Sequence, residues 1–308
     1  MNHLKQAFDG QSQLWKYIVT ILIGFVATNF IGILPLLIVM MSKLAQGYSA
    51  NPDNLLDLSA YGIDLNTGLI LMLIPYVIGL IVLVVLFKRL HKRSLSQVIN
   101  GTKKIRWNRF FYAMGMWALL LAVTLSIEYF VSPQDFKFQF EPTRFLISAV
   151  IILIFIPFQT TFEEVLFRGY LMQGLAFWSK NKWIAIISTA LIFGLLHSFN
   201  PEVDSFGFWL AMPQYIIFGL TFGIMVVLDD GIETAMGAHA ANNMFLCLFV
   251  TSKESALQTY AVFEKININP SFIDILVLLI TSIIFLFILK SKYKWNFSVL
   301  NIRKRIEF

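Results

Sequence analysis

The chain has 308 residues, 57% of them hydrophobic and only 14% charged, with a mean hydropathy of +0.72, whereas a water-soluble domain carries about 25% charged residues. A globule in water is excluded, and apolar runs too long for core helices read as a multi-spanning membrane protein. The 24 Lys and Arg against 18 Asp and Glu give a net charge of +6, but these positives sit in flanks and connections, which describes membrane topology and no nucleic-acid partner.

In chain order, residues 15–41, 66–87, 108–132, 145–162, 183–199, 208–228, 232–251 and 271–290 are apolar stretches broken by few charges. Most approach the ~20 residues a helix needs to cross ~30 Å of hydrocarbon. The predicted fold is all-α, with about eight transmembrane helices. A polar flank, Pro35 and the lack of a small-residue cleavage signal mark the first stretch as a retained helix. Between the second and third stretches lie Lys88, Arg89, Lys92, Arg93, Lys103, Lys104, Arg106 and Arg109. After the eighth come Lys290, Lys292, Lys294, Arg303, Lys304 and Arg305. The positive-inside rule places both segments, and with them both termini, in the cytoplasm. The acidic loop 42–65, with Asp53, Asp57 and Asp64, and the loop 131–143 then face outward. No internal repeat or Gly/Ser linker divides the chain, so 1–308 reads as a single membrane domain.

A charge at the bilayer centre costs at least ~2.5–3.5 kcal/mol, so ionisable groups inside apolar spans are rare and usually functional. That filter leaves Glu128 near the outer end of the third stretch, assigned no role, the segment Glu163 to Arg168, His197, and the group His239, Asn242 and Asn243. Either histidine alone reads as a satisfied buried residue, and the glutamates alone as an interfacial charge cluster. Together inside lipid they shift toward one polar site, because each needs a partner that only the others supply. Glu164 with Arg168, and His239 with Asn243, are i,i+4 pairs on a shared helix face. Glu163 lies about 100° around the helix from Glu164, free to point into a cavity. Helix rise puts Glu163 ~27 Å from Phe145, His197 ~21 Å from Trp183 and His239 ~15 Å from the Asp229-Asp230 turn. Apolar character runs on past the glutamates to Trp178, so one bent or tilted helix over 145–178 would let all of them meet.

Glu163-Glu164-Val165-Leu166-Phe167-Arg168, Phe193-Gly194-Leu195-Leu196-His197 and His239-Ala240-Ala241-Asn242-Asn243 fit the motifs EExxxR, FxxxH and HxxxN. In this order they resemble the CPBP (CAAX prenyl protease and bacteriocin-processing, or Abi) family of intramembrane endopeptidases, over roughly 145–250, which would form the catalytic core. The resemblance implies that Glu163 activates a water with help from His197, while His239 and Asn243 bind the scissile carbonyl and its oxyanion. It implies that Glu164 and Arg168 neutralise one charge and orient Glu163. The implied substrate is a membrane-associated peptide or protein, lipidated or a precursor, met within membrane lipid. The chamber would lie between the fourth, fifth and seventh stretches.

Four other chemistries compete. Two histidines and a glutamate form a known zinc set, so zinc is the alternative to a cofactor-free site, with Glu163, His197 and His239 as ligands, although no HExxH is present. Cys247 follows Asn243 on the same helix face and invites a thiol nucleophile, but ~12 Å of helix separates it from His239, and a buried thiol is the plainer reading. An ion-coupled transporter would carry repeats or paired interrupted helices, which the sequence lacks. A non-proteolytic scaffold or self-immunity protein would keep the fold without the chemistry. The composition leans toward a bacterial cytoplasmic membrane. Oligomeric state is not legible.

Overall fold

The structure, a computed structural model, describes residues 2–7, 10–51, 57–102 and 104–302. Asp53, Lys103, Arg303, Lys304 and Arg305, which contribute to the charge bias, lie outside the described residues. The helices are α1 (Asn2–Lys5), α2 (Leu14–Val26), α3 (Leu34–Ala45), α4 (Leu65–Leu90), α5 (Leu95–Asn100), α6 (Trp107–Val131), α7 (Pro142–Glu164), α8 (Met172–Ser179), α9 (Lys182–Leu196), α10 (Pro201–Phe206), α11 (Phe208–Asp229), α12 (Glu233–Phe249) and α13 (Phe272–Tyr293). A π-helical segment, Ala27–Gly32, carries α2 into α3, and a second, Val165–Leu171, carries α7 into α8. The three short strands β1 (Phe136–Phe138), β2 (Val250–Thr251) and β3 (Phe263–Lys265) form one small sheet in the order β1-β3-β2, with β1 antiparallel and β2 parallel to β3.

Among the described residues, six helical stretches are long and apolar enough to cross a membrane: Leu14–Ala45, Leu65–Leu90, Trp107–Val131, Pro142–Ser179, Phe208–Asp229 and Phe272–Tyr293. The all-α, multi-pass prediction therefore holds. The other two predicted stretches are the shorter α9 and α12, of 15 and 17 residues. At ~1.5 Å per residue they reach ~22 and ~26 Å, less than the hydrocarbon thickness. The continuation past the glutamates is real, since Pro142–Ser179 is one rod of 38 residues that passes Pro157 and the π-segment without a break.

Helix ends follow local chemistry. Asp64 accepts from the backbone N–H groups of Asn66 and Thr67 at the start of α4, and Ser271 with Asp274 forms a capping box on α13. α12 is the most enclosed helix, and its sequence explains why. Gly237, Ala235, Ala238, Ala240 and Ala241 give it a nearly smooth surface, so it packs closely against α6 and α7. At Gly237 a Cβ would lie 2.1 Å from the Phe110 carbonyl oxygen of α6, and at Gly219 of α11 it would lie 2.7 Å from Ala190 Cα of α9. Those glycines set how near the helices come, as small residues do in membrane bundles.

One end of the bundle gathers the polar connections. The carboxylate of Asp230 accepts from the backbone N–H groups of Asn2 and His3 at 2.9 and 2.8 Å. Buried Glu233 receives Arg106 through the guanidinium Nε and Nη2 and through the Arg106 backbone N–H. Asp229 takes Arg109 and the Trp295 indole. The N-terminal helix, the basic connection 91–106 and the start of the C-terminal tail thus share one face, as their common charge requires.

Candidate active site

Two consecutive glutamates at the end of α7 open the site. Glu163 and Glu164 are 6% and 0% exposed, and α12 crosses α7 at this level, so both carboxylates turn toward one imidazole. His239 Nδ1 lies 2.8 Å from Glu164 Oε1, and His239 Nε2 lies 3.5 Å from Glu163 Oε2. A carboxylate oxygen only accepts, so the Nδ1–H of His239 donates to Glu164. Arg168 Nη1 donates to Glu164 Oε1 at 2.9 Å, as the i,i+4 spacing predicts, but that same oxygen also holds His239.

Arg168 sits in the π-segment and is 0% exposed. Its guanidinium carbon lies 4.3 Å from the centroid of Phe193, with Phe222 and Phe167 farther out at 5.6 and 5.8 Å. A cation without water is stabilised by aromatic faces as well as by a carboxylate. Phe193, the aromatic of the FxxxH string, also touches both histidines. Its ring centroid is 4.5 Å from that of His197 and 6.1 Å from that of His239.

His197 caps the C-terminal end of α9. Its Nδ1 bonds the carbonyl of Phe193 at 2.7 Å, so the proton sits on Nδ1 and Nε2 keeps its lone pair. Its ring stacks on Tyr215 at 4.5 Å and 25°, and the Tyr215 hydroxyl accepts from Asn200 Nδ2. Among the described residues no hydrogen bond joins His197 to either glutamate. His239 makes the direct approach to the glutamates, and His197 stands beside it across the Phe193 ring.

Asn243, one turn beyond His239, donates from Nδ2 to Gln159 Oε1 at 3.0 Å, and Gln159 Nε2 donates to Glu163 Oε1. Asn242 donates to Asn243 Oδ1 at 3.2 Å and accepts from the Trp117 indole at 3.3 Å. Gln159 and Trp117 escaped the sequence reading because neither is ionisable and neither belongs to one of the three motifs. The available signal was the i,i+4 spacing of Gln159 and Glu163 on α7, a pairing that helices favour. Glu163 Oε2, Glu164 Oε2 and two nitrogens of Arg168 are buried without a hydrogen-bond partner. Buried polar atoms are otherwise paired almost without exception, so this cluster is built to engage something further.

Among the described residues no three of His, Cys, Asp and Glu gather as a metal-ligand set; the Nδ1 atoms of both histidines are engaged by protein oxygens, which leaves Nε2 as the available nitrogen of each ring. Cys247 is a buried free thiol bonded to none of the histidines. Glu128 pairs with Lys265 outside this cluster.

Comparison with known proteins converges on the same segment. Residues 142–245 match the model of the Rce1-like family, described as type II CAAX prenyl endopeptidase Rce1-like. The chain is also similar to the uncharacterized protein YyaK of Bacillus subtilis (strain 168), at 30% identity over 257 residues, 83% of this chain and 84% of that relative. No solved structure matches the chain.

Proposed function

From the premise that this chain belongs to the Rce1-like, CPBP-type family of membrane proteases, we propose that it is an intramembrane endopeptidase in which a glutamate-activated water hydrolyses a peptide bond of a membrane-associated substrate. One observation carries the reading: Glu163 Oε2 is buried, has no hydrogen-bond partner and lies 3.5 Å from His239 Nε2. A carboxylate so placed accepts a proton from an attacking water, a contribution of roughly 100- to 10,000-fold for a positioned general base. His197, with its Nε2 lone pair free, assists in holding that water. The scissile carbonyl lies against His239 and Asn243: the second N–H of Asn243 donates to the oxyanion as charge develops there, and His239 Nε2 joins it when both ring nitrogens carry hydrogen. Glu164 orients His239 through Nδ1, and Arg168 balances the charge of Glu164.

The substrate is a peptide presented at the membrane, prenylated near its C-terminus or a precursor, and the enzyme resides in the cell membrane. No resident metal is needed in this scheme. The test uses full-length protein in vesicles and a quenched-fluorescent peptide ending in a farnesylated CAAX sequence, with membrane peptidomes of cells read in parallel. Wild type cleaves in the presence of a chelator, and Glu163→Ala loses at least ~100-fold. Equal peptide profiles from wild type and Glu163→Ala in both assays would overturn the assignment and favour a non-proteolytic scaffold.

A further inference from the structure

Asn243 has an amide whose oxygen and nitrogen are nearly alike in shape, so its neighbours must decide which one faces the site. Oxyanion binding needs the nitrogen there. Four hydrogen bonds run in sequence through this residue: Trp117 Nε1–H to Asn242 Oδ1, Asn242 Nδ2–H to Asn243 Oδ1, Asn243 Nδ2–H to Gln159 Oε1, and Gln159 Nε2–H to Glu163 Oε1. The two ends of the run cannot reverse. An indole N–H only donates and an ionised carboxylate only accepts. Between such ends a single assignment of the three amides satisfies every bond, each accepting at oxygen and giving at nitrogen. Any flipped amide sets oxygen against oxygen or nitrogen against nitrogen.

We propose that Trp117, Gln159 and Asn242 are positioning residues, forming a one-way amide relay that fixes the Asn243 nitrogen toward the site and anchors Glu163 through Oε1, leaving Oε2 for the reaction. The relay joins α6, α12 and α7; Trp117 and Gln159 are 0% and 7% exposed, and Asn242 and Asn243 are half-buried. In such surroundings each bond polarises the next. One hydrogen of Asn243 Nδ2 serves Gln159, and the other is left for the developing oxyanion. The inference rests on the proposed oxyanion role of Asn243.

The experiment measures kcat and KM separately on the farnesylated probe with full-length variants in vesicles. Gln159→Met removes both bonds at its position, and Asn242→Asp still accepts from Trp117 but, as a carboxylate, opposes Asn243 Oδ1. Each is expected to lower kcat ~100-fold with KM within about twofold, as for loss of one oxyanion donor. The double variant is expected to be no slower than the slower single one, because both break the same relay. Trp117→Phe keeps its ring against Phe285 and Phe218, 4.9 and 6.0 Å away, and loses only the terminal donor, so kcat falls ~3- to 10-fold. If the other two variants fail to accumulate, Trp117→Phe decides alone, and unchanged kcat overturns the relay. Full kcat in Gln159→Met and Asn242→Asp beside an inactive Glu163→Ala also overturns it, leaving a structural tie. An active Glu163→Ala instead sinks the proposed function itself.

Discussion

Arg168 has two duties that its position in an EExxxR string announces only in part. The i,i+4 relation to Glu164 is legible in the sequence, and the structure keeps it at 2.9 Å. The aromatic enclosure by Phe193 and Phe222 is not legible, because those rings arrive from α9 and α11. Removing a fully buried charge from a pair leaves its partner uncompensated. Arg168→Met should therefore cost ~3–5 kcal/mol of stability, read as a large fall in melting temperature of the detergent-solubilised protein. Arg168→Lys restores the charge but not the planar face over Phe193, so its melting temperature falls between the two. The same contrast separates the other site residues. Glu163, His197 and His239 could be chosen in advance by their cost in lipid, and Asn243 by its place in the HxxxN string. Gln159, an amide like Asn243, and Trp117 stand in no motif, and only their partners reveal them.

Among the elements, the long rod through α7 and α8 was readable from its unbroken apolar run, whereas its π-segment was not. Residues Val165–Leu171 include Gly169, which helices disfavour, but nothing in the string specifies a widened turn. Gly169 of this segment faces Val98 of α5, where a Cβ would come within 2.9 Å of a methyl and 3.0 Å of a carbonyl oxygen. π-turns gather at functional sites, and this one directly follows the paired glutamates. The short helix α12 was readable as an apolar stretch but not as an interior element, because hydropathy does not record which neighbour covers a helix. For α12 the decisive residue is Gly237, two positions before His239. Gly237→Ala sets a methyl against the Phe110 carbonyl, so α12 must shift away from α6. The expected loss is ~1–3 kcal/mol from overpacking, with peptidase activity falling further than stability because His239 moves with the helix. Parallel melting and turnover measurements check it, and a fully active, fully stable Gly237→Ala contradicts the packing described for α12.

For the whole molecule, the charge bias foretold that the basic connection, the start of the tail and the N-terminal helix lie at one end, though not the contacts that hold the N-terminal helix there. There His3 Nε2 bonds the carbonyl of Arg168 at 3.1 Å, and Gln173 donates to His3 Nδ1. His91 Nδ1 bonds the carbonyl of Gln11, and its Nε2 accepts from the Tyr170 hydroxyl. Burial pushes both histidines down from 6.5 to about 4, aided for His91 by the Arg93 guanidinium. Their folded values lie below their unfolded ones, so the unfolded chain binds more protons between the two. Stability from these rings is fully present above pH 6.5 and is lost as the pH falls toward 4. The melting temperature should be level above neutrality and decline through that window. His3→Gln with His91→Gln flattens the acid side, and an unchanged acid slope in the double variant contradicts the assignment. The seclusion of the paired glutamates reaches beyond stability. Hydrolysis consumes one solvent molecule per bond broken, yet the groups that would use it stand almost wholly out of contact with bulk liquid. For the proposed reaction, wetting of the site is thereby a kinetic event in its own right.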